Sequence, residues 1–103
     1  MTSFHQIDAD ISLPTSPDLM RLILTQAELV AIAEEIGQDE LQRIAAVSHD
    51  HGTNPDYAAL DAQEKHDLEV LRRAITTVTG KKRAWIMGYA SEFALALKYC
   101  LDQ

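Results

Sequence analysis

Two histidines two residues apart, His49 and His51, stand among acids and turn formers in the stretch SHDHGTNPD, Ser48 to Asp56. On a helix, side chains two positions apart point about 200° away from each other, so such a pair cannot share an ion there. Gly52 and Asn54-Pro55 take the chain out of the helix. In a loop, His49, His51 and Asp56, joined by His66 or Asp67 from the next segment, would supply nitrogen and oxygen donors that zinc, nickel or iron accepts. The plainer alternative is that histidines near a helix C-terminus suit the dipole there when charged. No HExxH or paired CxxC motif accompanies them. His49, His51, Asp56 and His66 are therefore weak metal candidates, and no cofactor is expected.

Other reactive patterns are thinner. Gly80-Lys81-Lys82 lacks the phosphate-loop spacing, since residue 75 is Ile and no Ser or Thr follows the lysine. Cys100 sits late in an apolar segment, a setting that does not favour the reactive thiolate, so a nucleophilic role is not expected. Asp and Glu are plentiful, but no spacing marks a pair for acid and base roles. No enzymatic activity is expected. Lys81-Lys82-Arg83-Ala84-Trp85 is the one basic patch, suited either to a phosphate or acidic partner or to a solvated turn between helices.

The elements that would position these residues belong to one domain, residues 1–103, since a chain of 103 residues with 47% hydrophobic and 24% charged residues is ordinary globular composition. A single cysteine excludes a disulfide within the chain and fits a reducing compartment. The start MTSFHQIDADIS has neither early basic residues nor a long apolar run, so the expected location is cytoplasmic. Ala84 to Leu101 is apolar enough to suggest a membrane span, but Glu92 and Lys98 within it point to a buried helix instead.

Net charge is −7, unevenly spread: residues 1–80 hold five basic against fourteen acidic residues, and residues 81–103 hold four against two. The bulk of the chain thus repels nucleic acid and anionic lipid, while an acidic face can meet a basic protein surface or simply keep the protein soluble.

Ile7, Ala9, Ile11 and Leu13 alternate with Asp8, Asp10 and Ser12, the period of a half-buried strand that Pro14 stops. Leu19 to Leu24 is short and apolar and fits a second strand, giving a hairpin over 7–24; the competing reading is a helix with Ser16 as cap and Pro17 first. Thr25-Gln26-Ala27-Glu28 has capping-box spacing and opens a helix lined by Leu29, Ile32, Ala33 and Ile36, with Gly37 as its stop. Asp39-Glu40-Leu41-Gln42 opens a shorter helix, and Asp61-Ala62-Gln63-Glu64 a longer one with Leu68, Leu71, Ile75 and Val78 inward. After Thr79-Gly80, a last helix carries Ile86, Tyr89, Ala90, Phe93, Leu97, Cys100 and Leu101 as its stripe, widened by Trp85, Ala96 and Tyr99. Its apolarity makes it the central element or a seam with a second molecule.

Residues 19–49, with LMRLIL as a strand, Thr25 as cap, a helix to Gly37 and a second from Asp39, resemble the ribbon-helix-helix family of dimeric DNA-binding regulators. The resemblance implies a strand paired with its twin, reading the major groove through Arg21 and Met20 or Ile23.

The sequence therefore predicts a mostly α, α+β domain: a two-stranded β-ribbon over 7–24, then about four helices over 25–103, the last central or at a dimer interface. The favoured function is a small acidic, non-enzymatic regulatory protein, of the kind phages and mobile elements use to inhibit or tune a larger machine. Its partner would be a protein with a basic, nucleic-acid-handling surface, met by Asp18, Glu34, Glu35, Asp39 and Glu40. Trp85, Tyr89, Phe93 and Tyr99 would anchor a homodimer. Direct nucleic-acid binding and membrane association are not expected. The alternatives are the ribbon-helix-helix regulator and a metal-binding protein working through the His49/His51 loop.

Overall fold

The longest apolar stripe of the sequence organises the fold. A computed structural model describes residues 10–47 and 57–102, which form β1 (Ile11–Leu13), α1 (Pro17–Ile23), α2 (Gln26–Ile36), α3 (Gln38–Ala45), α4 (Tyr57–Thr79), β2 (Ala84–Ile86) and α5 (Ala90–Asp102). Among the described residues the chain is mostly helical, with one short two-stranded sheet. Helix α5 packs against α1, α2, α3 and α4. Phe93, Leu97 and Cys100 on it are buried, as are Ala90, Ala94 and Ala96. No helix among the described residues is long and apolar enough to cross a membrane.

The predicted hairpin is replaced by a different pairing. β1 lies parallel to β2, with Ile11 opposite Ala84, Ser12 opposite Trp85 and Leu13 opposite Ile86. Residues 7–9 of the expected first strand lie outside the described residues. Leu19 to Ile23, expected as the returning strand, are helical. Pro17 at the first position presets the helical φ, Asp18 suits the positive end of the dipole, and Met20 and Leu24, four apart, both turn into the core. A short apolar run alone does not separate strand from buried helix. The ribbon that carries the ribbon-helix-helix resemblance is thus absent from residues 19–24, with Met20 buried and Arg21 lying 3.9 Å from Asp18.

α2 starts as its sequence dictates. The Thr25 Oγ1 accepts from the Glu28 N–H at 3.1 Å while Glu28 Oε1 accepts from the Thr25 N–H at 2.9 Å, the reciprocal capping box. Leu29 and Ile32 are fully buried beneath it. Gly37, at φ 93°, ends α2 and directly precedes α3, a backbone setting that L side chains resist. α3 therefore begins at Gln38, and Asp39 lies in its first turn rather than capping it.

Two other helix boundaries move. α4 begins at Tyr57, so Asp61 lies inside it: the helix-favouring run Ala58-Ala59-Leu60 carries the helix past a tetrapeptide with capping-box spacing. α5 begins at Ala90 instead of just after Arg83, because Ala84-Trp85-Ile86 pairs with β1, burying Ala84 and Ile86 and turning Trp85 outward. The Tyr89 N–H then donates to Glu92 Oε1 at 2.9 Å and the Ala90 N–H to Glu64 Oε2 at 2.7 Å, satisfying donors at the start of α5. The described helices number five where the sequence suggests about four.

Thr25→Ala, which removes the cap acceptor, is expected to lower the unfolding free energy by about 1 kcal/mol in urea titrations, with Thr25→Ser retaining most of it.

Candidate functional site

Asp67 lies on the inward side of α4, one and two turns before Leu71 and Ile75, and its side chain is buried. A buried carboxylate must be paired. Arg43, on α3, supplies the partner: its Nη2 lies 2.7 Å from Asp67 Oδ1 and 2.6 Å from Glu40 Oε2, and its Nε donates to Glu40 Oε1 at 3.1 Å. Gln63 adds a bond of 3.0 Å to the same Asp67 oxygen, while Asp67 Oδ2 is buried without a hydrogen-bond partner. Hydrogen bonding from Arg43 holds the Glu40 carboxyl below its ordinary range, against a smaller opposing effect of desolvation. Hydrogen bonds from Glu40 and then Asp67 push the Arg43 guanidinium further up.

This network bears on the metal question. His66 is exposed on α4 and shares a cluster with Glu40 and Asp67, whose ligand atoms lie within 4.8 Å of one another. The Arg43 guanidinium already bonds both carboxylates, so a cation would have to displace a charge-assisted, bidentate contact. The cluster works as a clasp between α3 and α4. His49, His51 and Asp56 lie outside the described residues.

The acids singled out for partner binding divide. Glu34, Glu35 and Asp39 are exposed on either side of the Gly37 turn and enter no ion pair among the described residues. Glu40, next along, is held by Arg43, and Asp18 stands apart on α1. Beside the Gly37 turn, α2, α3 and the end of α5 enclose an apolar groove of about 620 Å³. Val30, Ala33, Leu41 and Leu101 line it, with Glu34 and Asp102 among its polar groups and Lys98 as a single cation. The groove was not visible in the sequence, because Val30 and Leu101 are 71 residues apart; the exposed position of Val30, off the Leu29 and Ile32 face, was its one local sign.

The proposed dimer anchors divide as well. Trp85, Tyr89 and Tyr99 are 40%, 41% and 52% exposed, but Phe93 is fully buried within this chain and offers nothing to a partner. Its place on the stripe of Ala90, Leu97 and Cys100 turns it inward. Trp85 is already engaged, its Nε1 donating to Asp10 Oδ2 at 3.1 Å and its ring lying under Arg72 and Arg83. Tyr99 lies under Arg21, which places α1 beside the second half of α5. Leu22 and Leu95, 80% and 55% exposed, are apolar surface the sequence reading missed; taking residues 17–23 as a helix with Met20 inward would have turned Leu22 outward.

No known protein family, curated protein or solved structure matches this chain.

Removal of the clasp has a signed consequence. Arg43→Ala leaves Asp67 buried with only Gln63, and is expected to cost about 3 kcal/mol in urea unfolding. Because the Glu40 pKa is lowered in the fold from 4.5, its contribution is present above that value and fades as pH falls through the lower folded value. Glu40→Gln is expected to flatten this acid limb of stability measured below pH 4.5.

Proposed function

We propose that this protein is a non-enzymatic regulator whose acid-bordered groove holds a basic amphipathic segment of a partner protein. The observation that supports this reading is the juxtaposition at the α2–α3 corner: an apolar groove lined by Val30, Ala33, Leu41 and Leu101 together with Glu34 and Asp102, with Glu35 and Asp39 exposed on the same two helices and in no ion pair among the described residues. An amphipathic helix laid in such a groove would bury its apolar face against α2 and α3. Its flanking lysines or arginines would meet the acids, which speed encounter and set orientation more than they add affinity. Nucleic-acid-handling proteins carry basic segments of this kind, and the excess of acid over residues 1–80 disfavours nucleic acid itself as the occupant. Bound there, the protein would compete with nucleic acid for its partner's basic surface.

The test is titration of a fluorescein-labelled amphipathic Leu/Lys helical peptide by anisotropy. Binding is expected, weakening as salt is raised, and Val30→Lys and the double change Glu34→Lys with Glu35→Lys should each reduce affinity at least tenfold. Asp18→Lys, at a position that is not among the residues lining the groove, should change it little. Absence of binding, or binding indifferent to the groove substitutions, would remove this reading.

The protein is also proposed to self-associate, through Leu22, Leu95 and Tyr99, which leave apolar surface exposed on α1 and α5. Native mass spectrometry is expected to show a dimer that Leu22→Glu converts to monomer.

A further inference from the structure

A second groove, independent of the first, has the opposite charge. Arg72, Arg73, Thr76 and Thr77 on α4 recur one turn apart, so they form two adjacent columns on one side of the helix. Gly80, at φ 78°, ends α4. The chain then returns past it, bringing Lys82, Arg83 and Trp85 to the same groove of about 540 Å³. Four cations thus converge in a chain whose net charge is −7. Glu69, 3.8 Å from Arg73, is the one acid among the described residues lining the groove, and Asp10 is bonded to the Trp85 ring at its nitrogen.

We propose that this groove binds the phosphate or diphosphate group of a small phosphate ester. Arg72 and Arg83 are both held to the Trp85 ring, at 5.5 and 5.2 Å from its centre, and the ring is fixed in turn by its bond to Asp10. Holding two guanidinium groups at one ring concentrates positive charge at this wall of the groove, and a bound anion would offset it. The Arg72 Nε is buried and has no hydrogen-bond acceptor, so this guanidinium is incompletely satisfied by the protein. Neutralisation of the α4 C-terminal dipole does not explain the cluster, because that effect reaches only the last turn and Arg72 and Arg73 lie nearly two turns from Thr79. Thr76 and Thr77 add hydroxyl donors suited to phosphate oxygens. A small ester is favoured over a nucleic-acid strand, since a strand leaving the groove would run onto a chain with fourteen acidic residues among its first 80.

Trp85 is the only tryptophan, so its emission reports the site directly. The experiment is a titration with inorganic pyrophosphate at constant ionic strength, with potassium chloride and a short oligothymidylate as parallel arms. A saturable change with pyrophosphate is expected, weakened at least tenfold by Lys82→Gln and by Arg83→Gln, both exposed positions whose substitution leaves the core intact. Among the described residues the cations stacked on the ring are Arg72 and Arg83, so the Lys82 variant separates loss of binding from a changed tryptophan environment. A response matched by chloride, or one that survives both substitutions, would overturn the proposal. Tighter binding of the oligothymidylate than of pyrophosphate at 0.15 M salt, near physiological ionic strength, would overturn the small-ester assignment.

Discussion

Burial of α5 is the constraint on which the other elements depend. A helix bearing Phe93, Ala94, Leu97 and Cys100 on one side and Ala90 and Ala96 beside them must be covered on most of its circumference. Four helices do this, and each presents its own fully buried residue to the common core: Met20 from α1, Leu29 and Ile32 from α2, Ile44 from α3, Leu71 and Ile75 from α4. Helices as short as α1 and α3, of 7 and 8 residues, are marginal alone, so their conformation rests on this packing rather than on propensity. Even Cys100 fits the scheme, its Sγ lying 3.6 Å from the Pro17 carbonyl oxygen.

Polar contacts decide how these apolar layers are aligned. Asp67 is the one fully buried charged side chain among the described residues, and Arg43 reaches it from α3 while also holding Glu40. Such a pair adds little net stability over an apolar substitute, but it admits few relative positions of α3 and α4. Glu64 acts similarly between α4 and the start of α5, where its carboxylate accepts from the Ala90 N–H.

The two grooves show how charge is sorted on this frame. The acid-bordered one closes on the last residues of α5, while the basic one forms at β2, which leads into the first; a helix of 13 residues is about 20 Å long. Opposite charges held that far apart on one small protein are screened from each other at physiological salt, where the Debye length is about 8 Å. An acidic and a basic surface can then coexist without neutralising one another.

The sequence by itself determined the features set by neighbours along the chain. The capping box at Thr25, the Gly37 and Gly80 stops, the inward stripe of α4 and the Glu69–Arg73 pairing all follow from spacings of one to four residues, and all are present. The acids at 34, 35 and 39 were legible for the same reason, since exposed polar positions follow from the helix period. Only tertiary structure decided the rest. Whether Leu19 to Leu24 is strand or helix turned on whether β1 would pair with it or with Ala84 to Ile86, a choice between partners 6 and 71 residues beyond Leu13 that local propensity does not rank. Phe93 and Tyr99 share one helix, yet only packing of α1 to α4 around it makes the first core and the second surface. Both grooves likewise consist of residues far apart in the chain, Val30 with Leu101 and Arg72 with Trp85, whose meeting is a property of how helices cross and not of any spacing.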